Sequence, residues 1–183
     1  ESALLFGTQI HFFMEQIDWA EGAFWEAAME AYTSKYGVVN SELQTHLAVF
    51  NDGGPLAPLL KTEFYFSDCT SPLNAIDEAT PETTHFTVHN EFPICASVTG
   101  VLLRGFIDRL VVIRVNELIV AADICDYKTD RVDDGTAEFK ASVSHYRPQI
   151  HAYKHAVAQM LALHPSQIGA RLIFTHAAVQ VSI

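Results

Sequence analysis

Asp126-Tyr127-Lys128 sets a carboxylate and an ammonium two positions apart at the end of an apolar, strand-like run. In extended backbone both then lie on one face, about 7 Å apart along the chain. A hydrolytic metal site uses such a pair: the carboxylate holds a hard divalent cation, while the ammonium orients an attacking water, helps its deprotonation and offsets charge developing on a phosphate. The tripeptide alone decides nothing, because a chain of this length contains on the order of half an Asp-x-Lys by chance, and an ordinary surface pair at a strand end competes with it. Support comes from Gly105-Phe106-Ile107-Asp108, which places an acid in a run continuing Leu110-Val111-Val112-Ile113. A lone carboxylate there is costly unless paired or bound to a cation. If the two strands pair through a turn near 114–117, Asp108 and Asp126 face one another and share a cation, with Gly105 allowing another backbone to approach closely. The alternative is a structural pair between Asp108 and Arg104, Arg109 or Lys128.

The elements that must position these groups follow from periodicity. Gly7-Thr8 before Ile10, Phe13, Met14 and Ile17 predicts a helix near 8–18 with His11, Glu15 and Asp18 on a different face. A second helix over 19–36 stops at Gly37, and a third over 41–50 stops at Asn51-Asp52-Gly53-Gly54. Residues 55–81, broken by Pro, Ser, Thr and Asp, read as a surface excursion with one short helix. Three strands follow near 84–98, 101–114 and 118–128, divided by Thr99-Gly100 and by residues 114–117, and such short connections imply an antiparallel meander. After a polar loop at 129–140 centred on Asp133-Asp134-Gly135, residues 142–163 read as an amphipathic helix that Pro148 makes start late or bend. Gln149, Tyr153 and Val157 form one stripe on it. Residues 170–183 add one or two strands.

With 183 residues, 49% hydrophobic and 18% charged, the chain is expected to form a single soluble domain over residues 1–183. No apolar run approaches the roughly 20 residues of a membrane span, and the N-terminus lacks the order of a secretory signal. A cytoplasmic location is therefore expected, and the abrupt ends suggest a fragment of something longer. Cys69, Cys95 and Cys125 are too scattered for a zinc or iron–sulfur site and read as buried free thiols. Nine histidines are many, yet none makes a His-x-x-x-His pair with an adjacent glutamate of the zinc-protease kind. The net charge of −11 opposes nucleic acid, but it is unevenly spread: residues 1–100 hold only Lys35 and Lys61 against fourteen acids, whereas residues 101–183 hold nine Lys/Arg against eight acids. A polyanion should meet the second half, and weakly.

In ordered sequence the chain resembles the RecB/AddA-type nuclease domains of bacterial helicase–nuclease complexes, within the PD-(D/E)XK superfamily. Gly-Thr-x-x-His is matched by Gly7 to His11, Gly-x-Ile-Asp by Gly105 to Asp108, and Asp-Tyr-Lys-Thr by Asp126 to Thr129. Tyr-x-x-Gln and Gln-x-x-x-Tyr are matched by Tyr146, Gln149 and Tyr153. The matches span roughly 7–175, with 20–100 supported only by coarse pattern. The resemblance implies Asp108 and Asp126 as Mg2+ or Mn2+ ligands, His11 and the Tyr127 backbone carbonyl as further ligands, Lys128 as the catalytic lysine, and Tyr146, Gln149 and Tyr153 as groups that hold DNA. Glu91 matches an acid seen before the first core strand of such domains, its role open between structure and function.

The resemblance further implies an α/β, restriction-endonuclease-like fold, a central mixed sheet flanked by helices that gathers the site at one edge. It implies an exonuclease acting on single-stranded DNA fed by a helicase motor, in repair or recombination. There is no Gly-x-x-x-x-Gly-Lys-Ser/Thr loop, so any motor lies elsewhere in a longer polypeptide or complex. There is also no cysteine cluster of the kind that holds iron–sulfur in some relatives. The rivals are the same fold acting as an inactive DNA-binding or scaffolding module, and an acidic protein-interaction domain in which Asp-x-Lys is accidental.

Overall fold

A computed structural model describes residues 3–98 and 101–183. Five strands form one sheet in the order β1-β2-β3-β4-β5. β1 (Thr84–Val98), β2 (Val101–Val115) and β3 (Leu118–Lys128) are the expected antiparallel meander. Asn116 and Glu117, both with positive φ (49° and 69°), turn β2 into β3. The Thr99-Gly100 division falls outside the described residues. The α5 helix (Ala137–Leu161) then carries the chain over the sheet, so that β4 (Ile168–Phe174) pairs parallel with β3, from Ala122↔Ile168 to Lys128↔Phe174, and β5 (Val179–Ser182) returns antiparallel. β3 is therefore central and covered on both faces, which is why it reads as an apolar run interrupted only by Asp123 before its end at Asp126 to Lys128.

Two cores sandwich the sheet. On one side lie α1 (Ala3–Glu15), α2 (Phe24–Tyr36), α3 (Ser41–Ala48) and the excursion, with Ile10, Phe13, Met14, Leu43 and Tyr65 buried against Val111, Ile113 and Tyr127. On the other, α5 buries Phe139, Val143, Ile150, Tyr153 and Val157 against Leu110, Ile124 and Leu172. No helix among the described residues is long and apolar enough to cross a membrane.

Several boundaries move, each for a visible reason. α1 starts at Ala3 and carries Gly7-Thr8 in its interior, because Phe6 joins the buried stripe one turn before Ile10; Thr8 Oγ1 donates to the Leu4 carbonyl and caps nothing. α2 starts only at Phe24, since Gly22 takes a left-handed φ of 57°. The Asn40 side chain accepts from Leu43 N at 2.8 Å and starts α3, which ends at Ala48, two residues early. The excursion contains α4 (Phe64–Ser67) and two single 3-10 turns, and Gly54 is required within it because a Cβ there would overlap the Val49 carbonyl. Thr136 caps α5 by accepting from Phe139 N at 3.1 Å, so the helix begins earlier than expected, does not start late, and runs on through Pro148. Packing on both sides of the proline, Val143 before and Ile150 after, outweighs the missing N–H. Only Cys125 is buried; Cys69 lies in the excursion and Cys95 faces solvent on β1 opposite Arg104, contrary to the expectation for all three.

Candidate functional site

The β2–β3 ladder ends at Arg109↔Cys125, one position short of Asp108 and Asp126. Beyond it the strands part, and the Asp108 side chain takes over the role of ladder partner: Tyr127 N donates to Asp108 Oδ2 at 2.6 Å. β3 stays paired to β4 along its other side up to Lys128. The faces of β2 also exchange at this point, for Ile107 lies in the core under α5 while Arg109 donates to the end of α1 and Val111 lies in the α1 core. The fork aims the Asp108 carboxylate sideways, into the opening. The candidate site thus lies where two strands in the middle of the sheet diverge.

The neighbouring strand fixes what enters the opening. Asn90 and Arg109 are cross-strand partners, and both hold the C-terminal end of α1. Asn90 Nδ2 donates to the carbonyls of Glu15 (3.1 Å) and Ile17 (3.2 Å), and Arg109 to those of Ile17 (2.8 Å) and Asp18, where a cation also suits the helix dipole. Arg109 is thereby committed to α1 and unavailable to Asp108, and Arg104 is exposed. One turn back along α1, His11 reaches the next pair. Its Nδ1 lies 3.3 Å from Asp108 Oδ1 and 3.6 Å from Glu91 Oε1, and one donor atom from each of the three residues lies within 4.8 Å of the others. Glu91 sits between the paired Asn90↔Arg109 and Phe92↔Ile107 with φ of 48°, a left-handed backbone that a glutamate rarely takes. That dihedral brings its carboxylate to His11, and no pattern in the sequence announces it.

Asp126 and Lys128 share a face of β3 as expected and form an ion pair, with side-chain exposures of 4% and 12%. Asp126 remains outside the three-residue cluster. The Lys128 ammonium also stands 4.1 Å above the Tyr146 ring, whose hydroxyl donates to Asp130. Gln149 Nε2 donates to Tyr153 Oη at 3.0 Å, and this buried tyrosine fills the space a Cβ at Gly105 would occupy, so the glycine admits a side chain of α5 where another backbone was expected. The Tyr127 ring turns to the opposite face, edge-on to His11 at 6.2 Å and to Phe50 at 5.8 Å.

The site has an excess of negative charge. Burial opposes protonation of His11, but the carboxylates of Asp108 and Glu91 outweigh it and push its pKa up to about 10. Burial, then the charge of Asp108, push Asp126 up to about 6 against the pull of Lys128. Burial and Asp130 push the Tyr146 hydroxyl up to about 12. The protonated His11 occupies the place where the geometry offers a cation one nitrogen and two carboxylate oxygens, a mixed donor set that fits a hard divalent ion.

Two features escaped the sequence reading. Thr175 N and Oγ1 both donate to the Lys128 carbonyl, at 2.9 and 3.2 Å, and buried His46 donates from Nδ1 to Thr175 Oγ1 at 2.7 Å, so α3 and the end of β4 together pin the Lys128 backbone. Burial and His176 lower the His46 pKa and keep it neutral. Thr175→Val should leave a buried imidazole N–H without an acceptor and cost about 1–3 kcal/mol in urea unfolding; an unchanged midpoint would count against the clamp. The second feature is the buried pair Asp123 and Arg171, at 2.6 Å, with Asp68 at 2.7 Å from the same guanidinium. A charge within an apolar run was the available signal, the same one that exposes Asp108.

No curated protein sequence is significantly similar to this chain. The five-stranded mixed sheet between helices is consistent with the restriction-endonuclease-like α/β fold. The family model described as the PD-(D/E)XK nuclease superfamily matches residues 1–181, and the chain belongs to that superfamily.

Proposed function

We propose that this domain is a metal-dependent deoxyribonuclease, an exonuclease on single-stranded DNA that a helicase motor in the same polypeptide or complex delivers during repair or recombination. The observation that carries the reading is the convergence of His11, Glu91 and Asp108 within 4.8 Å beside the Asp126–Lys128 pair. Asp108, Asp126, His11 and the Tyr127 backbone carbonyl are the proposed ligands of Mg2+ or Mn2+, with Glu91 added to them. When bound, the ion supplies Lewis acidity toward the phosphate and a lowered pKa for water.

The other residues act around that centre. Lys128 donates to the attacking water and to a phosphate oxygen, and the Tyr146 ring restricts where its ammonium sits. Tyr146, Gln149 and Tyr153 border this end of β3 from α5 and are proposed to hold the strand. With two cations in residues 1–100 the domain alone grips DNA weakly, which supports delivery by a partner. The deciding assay is shortening of an end-labelled single strand: loss of label with Mg2+ or Mn2+, stopped by EDTA, is expected, and an intact strand with either ion would sink the proposal.

Ion uptake is also expected to release a proton. His11 ligates only as neutral imidazole, and its pKa of about 10 means that it is protonated at neutral pH. Between about pH 6 and 10 the apparent affinity should therefore rise close to tenfold per pH unit, and more steeply below 6, where Asp126 is also protonated. Calorimetric titration in buffers of different ionisation enthalpy counts the protons. A count of zero at pH 7.5 would refute this.

A further inference from the structure

A cleft of about 650 Å³ opens beside the candidate centre, and most of its wall has no part in hydrolysis. His11 and Glu91 line one end; Phe12, Lys35 and Tyr36 line another part. The Phe12 and Tyr36 rings meet edge to face at 5.3 Å, with Lys35 Nζ 3.8 Å from the Phe12 centroid and 5.2 Å from that of Tyr36. Both rings pack in part against the apolar core, Tyr36 on Tyr32 at 5.2 Å, yet both remain partly open to solvent and the lysine is exposed, so the group keeps a face toward the cleft. Lys35 is, moreover, one of two cations in the first hundred residues.

The floor is informative as well. Gly7 lies inside α1, where glycine costs about 0.5–1 kcal/mol relative to alanine. A Cβ there would stand 3.5 Å from Thr129 Oγ1, an ordinary contact, so packing does not demand glycine. Gly7 is one of the residues that line the cleft, and it adds no side chain to that wall.

From this arrangement, and resting on the nuclease reading above, we propose that the cleft is a nucleotide subsite for single-stranded DNA. The base beside the scissile phosphate stacks on the Phe12–Tyr36 pair, and Lys35 swings from the rings to a backbone phosphate. Continuity decides the location, since a strand whose phosphate lies at His11 and Glu91 has its next nucleotide here. Charge decides the orientation: Glu15 on the cleft wall repels a phosphate while Lys35 attracts one, which leaves the aromatic pair to the base and Lys35 to the backbone. The volume is that of a small-molecule site, room for a nucleotide and not for a duplex.

The test uses the full chain carrying Lys128→Ala, with Ca2+, and measures fluorescence anisotropy of labelled dT12 and of an abasic oligonucleotide of equal length. dT12 is expected to bind about tenfold tighter than the abasic strand, and adding Tyr36→Ala to remove that preference. Lys35→Ala should weaken both strands and reduce the slope of log affinity against log salt by about 0.7. Gly7→Leu, which fills the floor and deletes no contact, should weaken dT12; thermal melts verify that each variant is folded. Equal binding of the two strands, no detectable dT12 binding by the parent at low salt, or parental affinity in the folded variants overturns the proposal, the last result leaving the cleft to another occupant such as a basic protein segment. Parallel cleavage assays on the chain without Lys128→Ala separate the two readings. Tyr36-dependent binding without cleavage removes the nuclease reading alone, and cleavage with Tyr36-independent binding removes the subsite alone.

Discussion

Lys128→Ala is expected to slow phosphodiester hydrolysis by about 10²- to 10⁴-fold, the range for losing a positioned proton-transfer or charge-stabilising group. Uptake of the ion should change less, and only through Asp126, because Lys128 is not itself among the proposed ligands. The variant also leaves the Asp126 carboxylate buried without its ion-pair partner, and the sign of that effect matters. In the folded chain Asp126 has its pKa raised by burial and then by Asp108, to about 6 against an ordinary 3.8. Its ionised form therefore already works against folding as pH rises through that window. Removing Lys128 raises the pKa further and extends the penalty toward neutrality. Rate comparisons at pH 7 should accordingly be matched with urea unfolding at pH 5 and 8; a folded Lys128→Ala chain that cleaves at the wild-type rate would refute the catalytic assignment.

Arg171→Met should cost about 3–5 kcal/mol, the penalty for removing one partner of a buried ion pair, from a domain whose whole stability is of the order of 5–15 kcal/mol. The guanidinium is 1% exposed and donates to Asp123 at 2.6 Å, to Asp68 at 2.7 Å and to Thr70 at 3.0 Å, so it ties the excursion to the central strand. Without it Asp123 loses its ion-pair partner, and burial, already the largest influence raising its pKa, drives it toward the neutral acid. The variant should therefore be least destabilised at acid pH and lose ground as pH rises. Asp123→Leu combined with Arg171→Met should recover part of the loss, since an apolar pair of similar volume avoids the desolvation cost. Stability equal to wild type at pH 8 would show that the network contributes nothing.

The three strands of the meander were legible to within a residue, the last two only as a region, and the reason is physical. Alternating or continuous β-branched runs bounded by turn residues leave few other arrangements, and Asp108 and Asp126-x-Lys128 sit within those runs. The start of α3 at Ser41 was read correctly, whereas those of α1 and α5 were misread because packing and capping overrode local signals. Phe6 drew α1 past Gly7, and the cap at Thr136 with the core on either side of Pro148 held α5 together. Asp108 could be suspected from its apolar surroundings; its partners could not be named, because Arg104, Arg109 and Lys128 all competed for it while the one that pairs with it, His11, arrives from another element. Glu91 remained ambiguous because its placement depends on a backbone angle, and the pinning of Lys128 through Thr175 and His46 depends on residues 47 and 82 positions away in the chain.

The left-handed backbone at Glu91 places function and stability in opposition at a single residue. A non-glycine residue held there costs on the order of 1–3 kcal/mol, which the surrounding sheet must absorb. Glycine would relieve that strain, and asparagine much of it, yet neither carries a carboxylate to His11. A chain optimised for folding alone would have no use for glutamate at this position. Stabilising substitutions sought without regard to activity would thus be drawn to this residue early, and the sturdier domain they produced would have lost one carboxylate of the proposed metal centre.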